Sequence, residues 1–527
     1  MNRPNRLLYL VGLALGVLPL WASSQLPMVD LPQHLHLISV LHRIDDPTTL
    51  YPKLFAIRGE LTPYLGYYYA VSFLNWFLPL GIANKLFLSA YVIGMPLGLA
   101  FLLRSLGRPS WPSLLSLPFA YGDSFAWGFV NYCSALPIAF FACAAFVRSI
   151  SDPHRRKAWA AALAVSLVLT LLFHVQVFAF LGLALPLLLL ATRAAEDDAA
   201  LRSRPVRIRA LLGPRAAALA ATLPALALFG VWVVARIGQP TEIRYGAPWM
   251  AWGPLLSQSN LSFKSFAQNR DELFGVLANQ LRDGSDRYAL YATALVAAAA
   301  VVLGCLPSTR KSEAVEGRLG RWRILALGLL ALLLYFALPF DIRGYIYYLN
   351  TRYAHLAAAL LICAVPPVRP AVGRLLTAGA VACAALLGIV LAQGFVAFGR
   401  EASAVDRLAP QCPPTPMVMG LIFNPFSRVV THPVYLHSAA TLALERGGAT
   451  NFSFARTPHS PVRYRSAPPP TFPSEWRPDQ FDYASQGRAY NAFLVRGATP
   501  AEVFGPLLGS ELELAGREDG FYLVRRR

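Results

Sequence analysis

Charge is what this sequence of 527 residues has least of: charged side chains make up 14%, against 56% hydrophobic. Soluble domains carry about 25% charge, so an ordinary soluble enzyme is excluded. The high apolar content excludes a disordered chain as well. Cysteine is also scarce. The six are Cys133, Cys143, Cys305, Cys363, Cys383 and Cys412. No two are spaced as CxxC, so neither a zinc site nor a disulfide framework is supported. The chain has no P-loop, HExxH or GxSxG string, which leaves an ATP-driven pump or a membrane protease without support. No internal repeat is visible, so the inverted-repeat signature of many transporters is missing.

What is present is a series of long apolar runs and a mean hydropathy of +0.46. The net charge of +19 does not point to nucleic acid, because most basic residues sit in short loops between apolar runs. That is the pattern of a chain crossing a membrane many times. A helix needs about 20 apolar residues to cross. The first candidate is Leu7 to about Gln25, read as an uncleaved helix with its N-terminus in the cytoplasm. Others lie near 63–81, 83–103, 134–148, 158–173, 175–192, 216–235, 288–306, 324–340, 353–367 and 375–396. Basic segments fall at Arg148–Lys157, Arg193–Arg215, Arg310–Arg323 and Arg369–Arg374. Placing all four inside requires an odd number of crossings, and eleven fits. The stretch 111–133 reads as re-entrant or as a broken helix. The expected architecture is an all-α polytopic membrane domain, 1–399, of about 11–13 transmembrane helices. Its loops 26–62 and 237–287 are extracytoplasmic.

Residues 400–527 change character. They are rich in proline and contain no span. Met417–Phe423 and Ala492–Val495 read as strands. Ser438–Arg446 reads as a helix ending at Gly447-Gly448, and Pro500–Leu508 as a second helix. Glu511–Val524 reads as a hairpin turning at Glu518-Asp519-Gly520. This is the pattern of a small α/β domain, extracytoplasmic by the same parity.

The string Met28-Val-Asp-Leu-Pro-Gln-His-Leu-His36 follows the first apolar run directly. Leu31, Leu35, Ile38 and Leu41 recur at helical spacing, which predicts a short amphipathic helix at the membrane surface. Asp30 and His34 are four apart and can share a face; His36 points elsewhere. Two readings of Asp30 stay open. Asp30-Leu-Pro-Gln33 matches a helix capping box, worth about 1 kcal/mol. Alternatively the carboxylate is a reactive group.

The layout resembles the GT-C superfamily of integral-membrane glycosyltransferases, and the VDLPQHL string is similar to bacterial members with an Asp-x-Pro-x-His start. Further pieces of the resemblance are Asp123-Ser-Phe-Ala-Trp-Gly-Phe-Val-Asn131, His174 after a span, and Asn350-Thr-Arg-Tyr353 opening a late span. The sequence departs from the family in having no acidic pair directly after the first span, Asp45-Asp46 coming fifteen residues after Asp30, and no WWD string in the tail. The resemblance implies a polyprenyl-phosphate-linked sugar donor, the lipid bilayer as a partner, and an acceptor it does not name. It implies no nucleic acid. It places Asp30 at the family's catalytic acidic position. No cofactor is indicated, and a divalent cation stays open.

Glycosyl transfer from a lipid phosphate needs a carboxylate to take the acceptor's proton. It also needs groups that tolerate positive charge at the sugar and a fixed cation for the departing phosphate. Asp30 is the expected base. His34, His36, Asp123, His174, Arg343 and Arg352 are the expected substrate contacts. Each has an ordinary alternative: solvated histidines, an interfacial loop aspartate, and arginines snorkelling at helix ends. Tyr67–Tyr69 and Pro248-Trp-Met-Ala-Trp252 suit an interfacial aromatic belt. A transporter or flippase of lipid-linked glycans shares the spans but needs no base at Asp30. A non-catalytic scaffold is the third reading.

Overall fold

The computed structural model describes residues 3–192, 194, 208–236, 261–309, 315–342 and 346–527. Arg343, Tyr345 and the Pro248–Trp252 stretch lie outside them. The architecture is mostly helical, with a small sheet at the C-terminus. Among the described residues, seven helices are long and apolar enough to cross a membrane, and three shorter apolar helices accompany them. The chain is a multi-pass membrane protein.

The first apolar helix, Arg3–Ala22, lies against the longest one, Pro370–Leu408. Their backbones come close at Gly388, where a Cβ would stand 2.4 Å from the Leu15 carbonyl oxygen. Only glycine tolerates that approach. The long helix runs past residue 400, and the first strand of the tail begins at Met417.

The run 63–81 is not one helix. It gives the nine-residue Gly66–Leu74, a break, and then Leu80–Ser105. Nine residues reach about 14 Å, less than half of a bilayer core. Asn75 and Pro79 separate the pieces. Conversely, Trp111–Tyr121 forms an eleven-residue 3-10 helix, buried throughout. At about 2 Å per residue it reaches ~22 Å. It runs beside the first helix, from Ser113 at Tyr9 (2.7 Å between hydroxyls) to Tyr121, whose hydroxyl donates to the Gly16 carbonyl at 2.7 Å. The stretch 111–133, expected to be re-entrant or a broken helix, is broken, and its 3-10 part packs beside the first helix between Tyr9 and Gly16. The helix Asp123–Trp127 follows it, then Gly128 in the left-handed region, then Val130–Ser151.

The tail forms a five-stranded sheet in the order Ala449–Thr450, Met417–Ile422, Ala492–Arg496, Phe521–Arg526, Leu512–Glu518. The first three strands are parallel and the last two antiparallel. Helix Ser438–Arg446 ends on Gly447 at φ 66°. The tail is fastened to the loop after the first helix. Phe55–Ile57 pairs with Val462–Tyr464, and the Leu50 N–H donates to the Gly447 carbonyl at 2.9 Å. Buried Glu401, on the long helix, accepts from Ser427 at 2.7 Å and faces Arg496 at 3.4 Å.

Candidate active site around Asp30

Asp30 precedes helix Leu31–His42 at its N-cap position, with Pro32 in the first turn. Its side chain makes no capping bond. Gln33 does not reach back either; its Nε2 donates to the Phe452 carbonyl of the tail. The capping-box reading is therefore corrected. The pattern fits, but a partner distant in sequence takes each side chain. The Asp30 backbone is held by the broken segment: its N–H donates to the Trp127 carbonyl at 3.1 Å, and Val29 donates to Ala126 at 2.8 Å.

The Asp30 carboxylate faces the tail. Asp30 Oδ1 lies 3.3 Å from His437 Nε2, and His437 Nδ1 lies 3.7 Å from Glu475 Oε2. The imidazole is 3% exposed, Asp30 19% and Glu475 30%. Burial alone pulls the His437 pKa down, but the Glu475 and Asp30 carboxylates outweigh it and the net direction is upward. Burial raises the Glu475 carboxyl, against the pull of His437.

His34 accepts from the Tyr68 hydroxyl at Nδ1 (2.7 Å) and donates from Nε2 to the Gly128 carbonyl (3.1 Å). That pattern fixes the neutral tautomer. Burial pushes its pKa down to about 4, against the upward pull of Asp30. His36 is wholly buried, donates to the Gly448 carbonyl at 2.9 Å and packs against Tyr51. It ties the loop to the tail and does not face Asp30.

Segment 123–131 gathers the remaining groups. Asp123 Oδ1 accepts from His432 Nε2 at 2.9 Å. Trp127 stands over Tyr348 (ring centroids 4.6 Å apart), with His432 at 5.7 Å and the exposed Trp476 at 6.4 Å. The Tyr348 phenol is raised by burial, with the Asp123, Asp341 and Asp30 charges adding to it. Phe129 lies under the Arg352 guanidinium at 4.3 Å. Arg352 also donates to Gln176 Oε1 at 3.2 Å and to the Tyr347 carbonyl at 3.3 Å, and its Nε has no partner among the described residues. No carboxylate pairs with Arg352 among the described residues. His174 caps the next helix, accepting from the Gln176 N–H at 3.2 Å. Burial, then the nearby Arg352 charge, holds its pKa well below the ordinary value.

Asp30, His34, Asp123 and Arg352 thus border one segment, and His174 joins through Gln176. Asp30 and Arg352 stand on different parts of it and do not touch. His437, Glu475 and His432 were not anticipated. The signal available was a pair of histidines five apart and a Glu-Trp step inside a proline-rich tail. Among the described residues, no group of three or more His, Cys, Asp or Glu side chains is arranged to hold a metal ion. A cavity of about 1080 Å³ opens near the other end of the first helix, lined by Arg6, Tyr9, Arg104 and apolar groups including Phe101 and Phe141.

No family model matches the chain, and no curated protein matches it. Among solved structures, the fold is similar to three GT-C superfamily enzymes. One is the arabinofuranosyltransferase AftD from Mycobacteria, at 14% identity and a TM-score of 0.49. That match covers 98% of this chain, which spans 40% of the AftD chain. Another is ArnT from Cupriavidus metallidurans in the apo state, at 14% identity and 0.44, covering 98% and 97% of the two chains. The same enzyme bound to undecaprenyl phosphate matches at 12% and 0.42, covering 98% and 97%. The Archaeoglobus fulgidus oligosaccharyltransferase tethered to an acceptor peptide matches at 12% and 0.41, covering 86% of this chain and 64% of that one.

Proposed function

We propose that this protein is a membrane glycosyltransferase that moves a sugar from a polyprenyl-phosphate donor to an acceptor hydroxyl on the extracytoplasmic side, in the bacterial inner membrane. The observation that carries the reading is the state of Asp30. It is a part-buried carboxylate in the loop after the first apolar helix, just before helix Leu31–His42. No cap uses it, and its backbone is locked to Trp127.

The step is a substitution at the anomeric carbon. The acceptor hydroxyl attacks that carbon, its proton passes to the Asp30 carboxylate, and a new C–O bond forms. The bond from the anomeric carbon to the phosphate oxygen breaks, and the phosphate leaves with the electron pair. Arg352 suits that phosphate. No acid among the described residues neutralises its guanidinium, and its planar fork matches phosphate oxygens. Trp127, Tyr348 and Trp476 offer ring faces and edges beside the base, a surface on which a sugar ring packs. The donor's lipid tail stays in the bilayer, so the site need not extract it. Residues 400–527 form, in this reading, an extracytoplasmic domain that closes over the loop.

The test is Asp30→Asn, purified, reconstituted in proteoliposomes and supplied with tritiated polyprenyl-phosphate monosaccharides and a membrane extract as acceptor source. Asn keeps the shape and removes the base. Transfer falls by at least about 10²-fold, while insertion and melting stay normal. Wild-type transfer in that variant overturns the reading. A second reading, a flippase for lipid-linked glycans, is favoured by the cavity near Arg6 and Arg104. In the same vesicles a flippase keeps moving labelled lipid between leaflets after Asp30→Asn.

A further inference from the structure

An Asp30 base acting alone leaves His437 and Glu475 without a role. Both come from the tail: His437 faces the one carboxylate the reaction uses, and Glu475 faces His437 from its other side. His437 begins helix Ser438–Arg446, where the helix dipole disfavours a positive charge. Yet its ring is set with a carboxylate oxygen toward each nitrogen, at 3.3 Å and 3.7 Å. A neutral imidazole has one N–H and presents a lone pair to one of those carboxylates. Only the imidazolium turns an N–H toward both, and the 3.7 Å contact to Glu475 is an ion pair rather than a hydrogen bond. The Phe454 ring, 5.6 Å from His437 and 5.3 Å from His34, wedges between the two histidines.

We propose that His437 is a positioning residue for the transfer step: its imidazolium bridges Asp30 and Glu475 and aims the Asp30 carboxylate, so that the tail completes the reaction site. This rests on the reading of Asp30 as the base. The titratable groups facing His437 are Asp30 and His34 from the first loop and Glu475 from the tail. His34 is neutral and pinned by Tyr68 and Gly128. It therefore adds no opposing charge above pH ~5, given its pKa of about 4. Burial disfavours the His437 charge, while Glu475 and Asp30 both favour it, and the net direction is upward. During the reaction both N–H bonds of His437 stay whole. The acceptor proton goes to Asp30 and then to water on the exposed side of the site.

The consequence is an alkaline limit to activity that belongs to His437, separate from the base. The experiment is a pH–rate profile of the full chain in proteoliposomes with tritiated polyprenyl-phosphate monosaccharides, for the wild type, Glu475→Gln, His437→Gln and Asp30→Asn. The histidine ring nitrogens are followed in parallel by 15N NMR, with the His437 signal assigned by its loss in His437→Gln. The wild-type rate falls as pH rises above the ordinary imidazole range, in step with loss of the His437 proton. Glu475→Gln moves both events to lower pH, by about one unit, a ten-fold change in proton affinity. His437→Gln lowers kcat by roughly 10–100-fold, leaves donor KM unchanged and erases the alkaline fall. The inference is overturned if the Glu475→Gln profile coincides with wild type, or if the alkaline fall survives His437→Gln. Glu475 is 30% exposed, so its variant keeps the test alive should His437→Gln fail to fold. An active Asp30→Asn overturns the base itself. An inactive one alongside unshifted tail variants overturns only the role of His437.

Discussion

Replacing Gly128 by alanine tests how tightly the broken segment sets the base. Gly128 has φ 86° and ψ 24°, where a side chain costs roughly 1–2 kcal/mol. The added Cβ also meets the Asp30 residue itself, at 2.9 Å from its nitrogen, 3.0 Å from its Cβ and 3.2 Å from its Cα. Carbon atoms settle at about 3.5–4.0 Å, so Asp30 must retreat by roughly 0.5–1 Å. The retreat stretches the 3.1 Å bond from Asp30 N–H to the Trp127 carbonyl and shifts the carboxylate against His437. A misplacement of about 1 Å costs on the order of 10²-fold in rate. Gly128→Ala is therefore expected to lose about 1–2 kcal/mol of stability and on the order of 10²-fold in kcat. Thermal unfolding in detergent and transfer in proteoliposomes measure the two. Gly520→Ala is the control: φ is 81°, and nothing lies within 4 Å of its Cβ. It carries the backbone strain without the collision, so it loses stability and keeps its rate. A Gly128→Ala protein with wild-type transfer refutes the placement of Asp30.

Two more expectations follow from charge. Arg352→Ala is expected to weaken donor binding by roughly 10–100-fold, with Arg352→Lys intermediate because a point charge replaces the planar fork. Donor affinity as a function of salt measures it, and an unchanged affinity and salt slope contradict it. His34 and His36 sit near pKa 4 because burial disfavours their charge. Their folded values lie below the ordinary 6.5, so the stability they contribute is complete above pH ~6.5 and drains away as pH falls toward 4. Melting temperature is expected to drop across that window, less steeply in His36→Asn. A melting temperature flat from pH 6.5 to 4 contradicts the burial of both rings.

Hydropathy located most of the membrane helices and misjudged the run 63–81. A count of apolar residues assumes 1.5 Å per residue. Trp111–Tyr121 is short and carries Pro112 and Pro118, and the stretch 111–133 is broken as its sequence suggests. As a 3-10 helix, Trp111–Tyr121 covers more distance per residue and lies buried among its neighbours. The run 63–81 was apolar enough but lacked continuity through Asn75 and Pro79. In the tail, local signals sufficed: Gly447 stops the Ser438–Arg446 helix, and Asp519-Gly520 turn the final hairpin with positive φ at both residues. Asp30 was legible from its place after the first helix. Its partners were not, because His437 and Glu475 reach it through the tertiary fold and no spacing rule connects them. The capping-box pattern misled for the same reason. Gln33 stands at the right interval, but its Nε2 donates to the Phe452 carbonyl and the Asp30 N–H it could have capped donates to Trp127.

The most direct test is a structure of the Asp30→Asn protein with a polyprenyl-phosphate monosaccharide bound. The account predicts the phosphate within hydrogen-bond reach of Arg352, the sugar against Trp127 and Tyr348, and the anomeric carbon turned toward residue 30. A lipid phosphate seated at Arg6 and Arg104, with nothing beside residue 30, contradicts it.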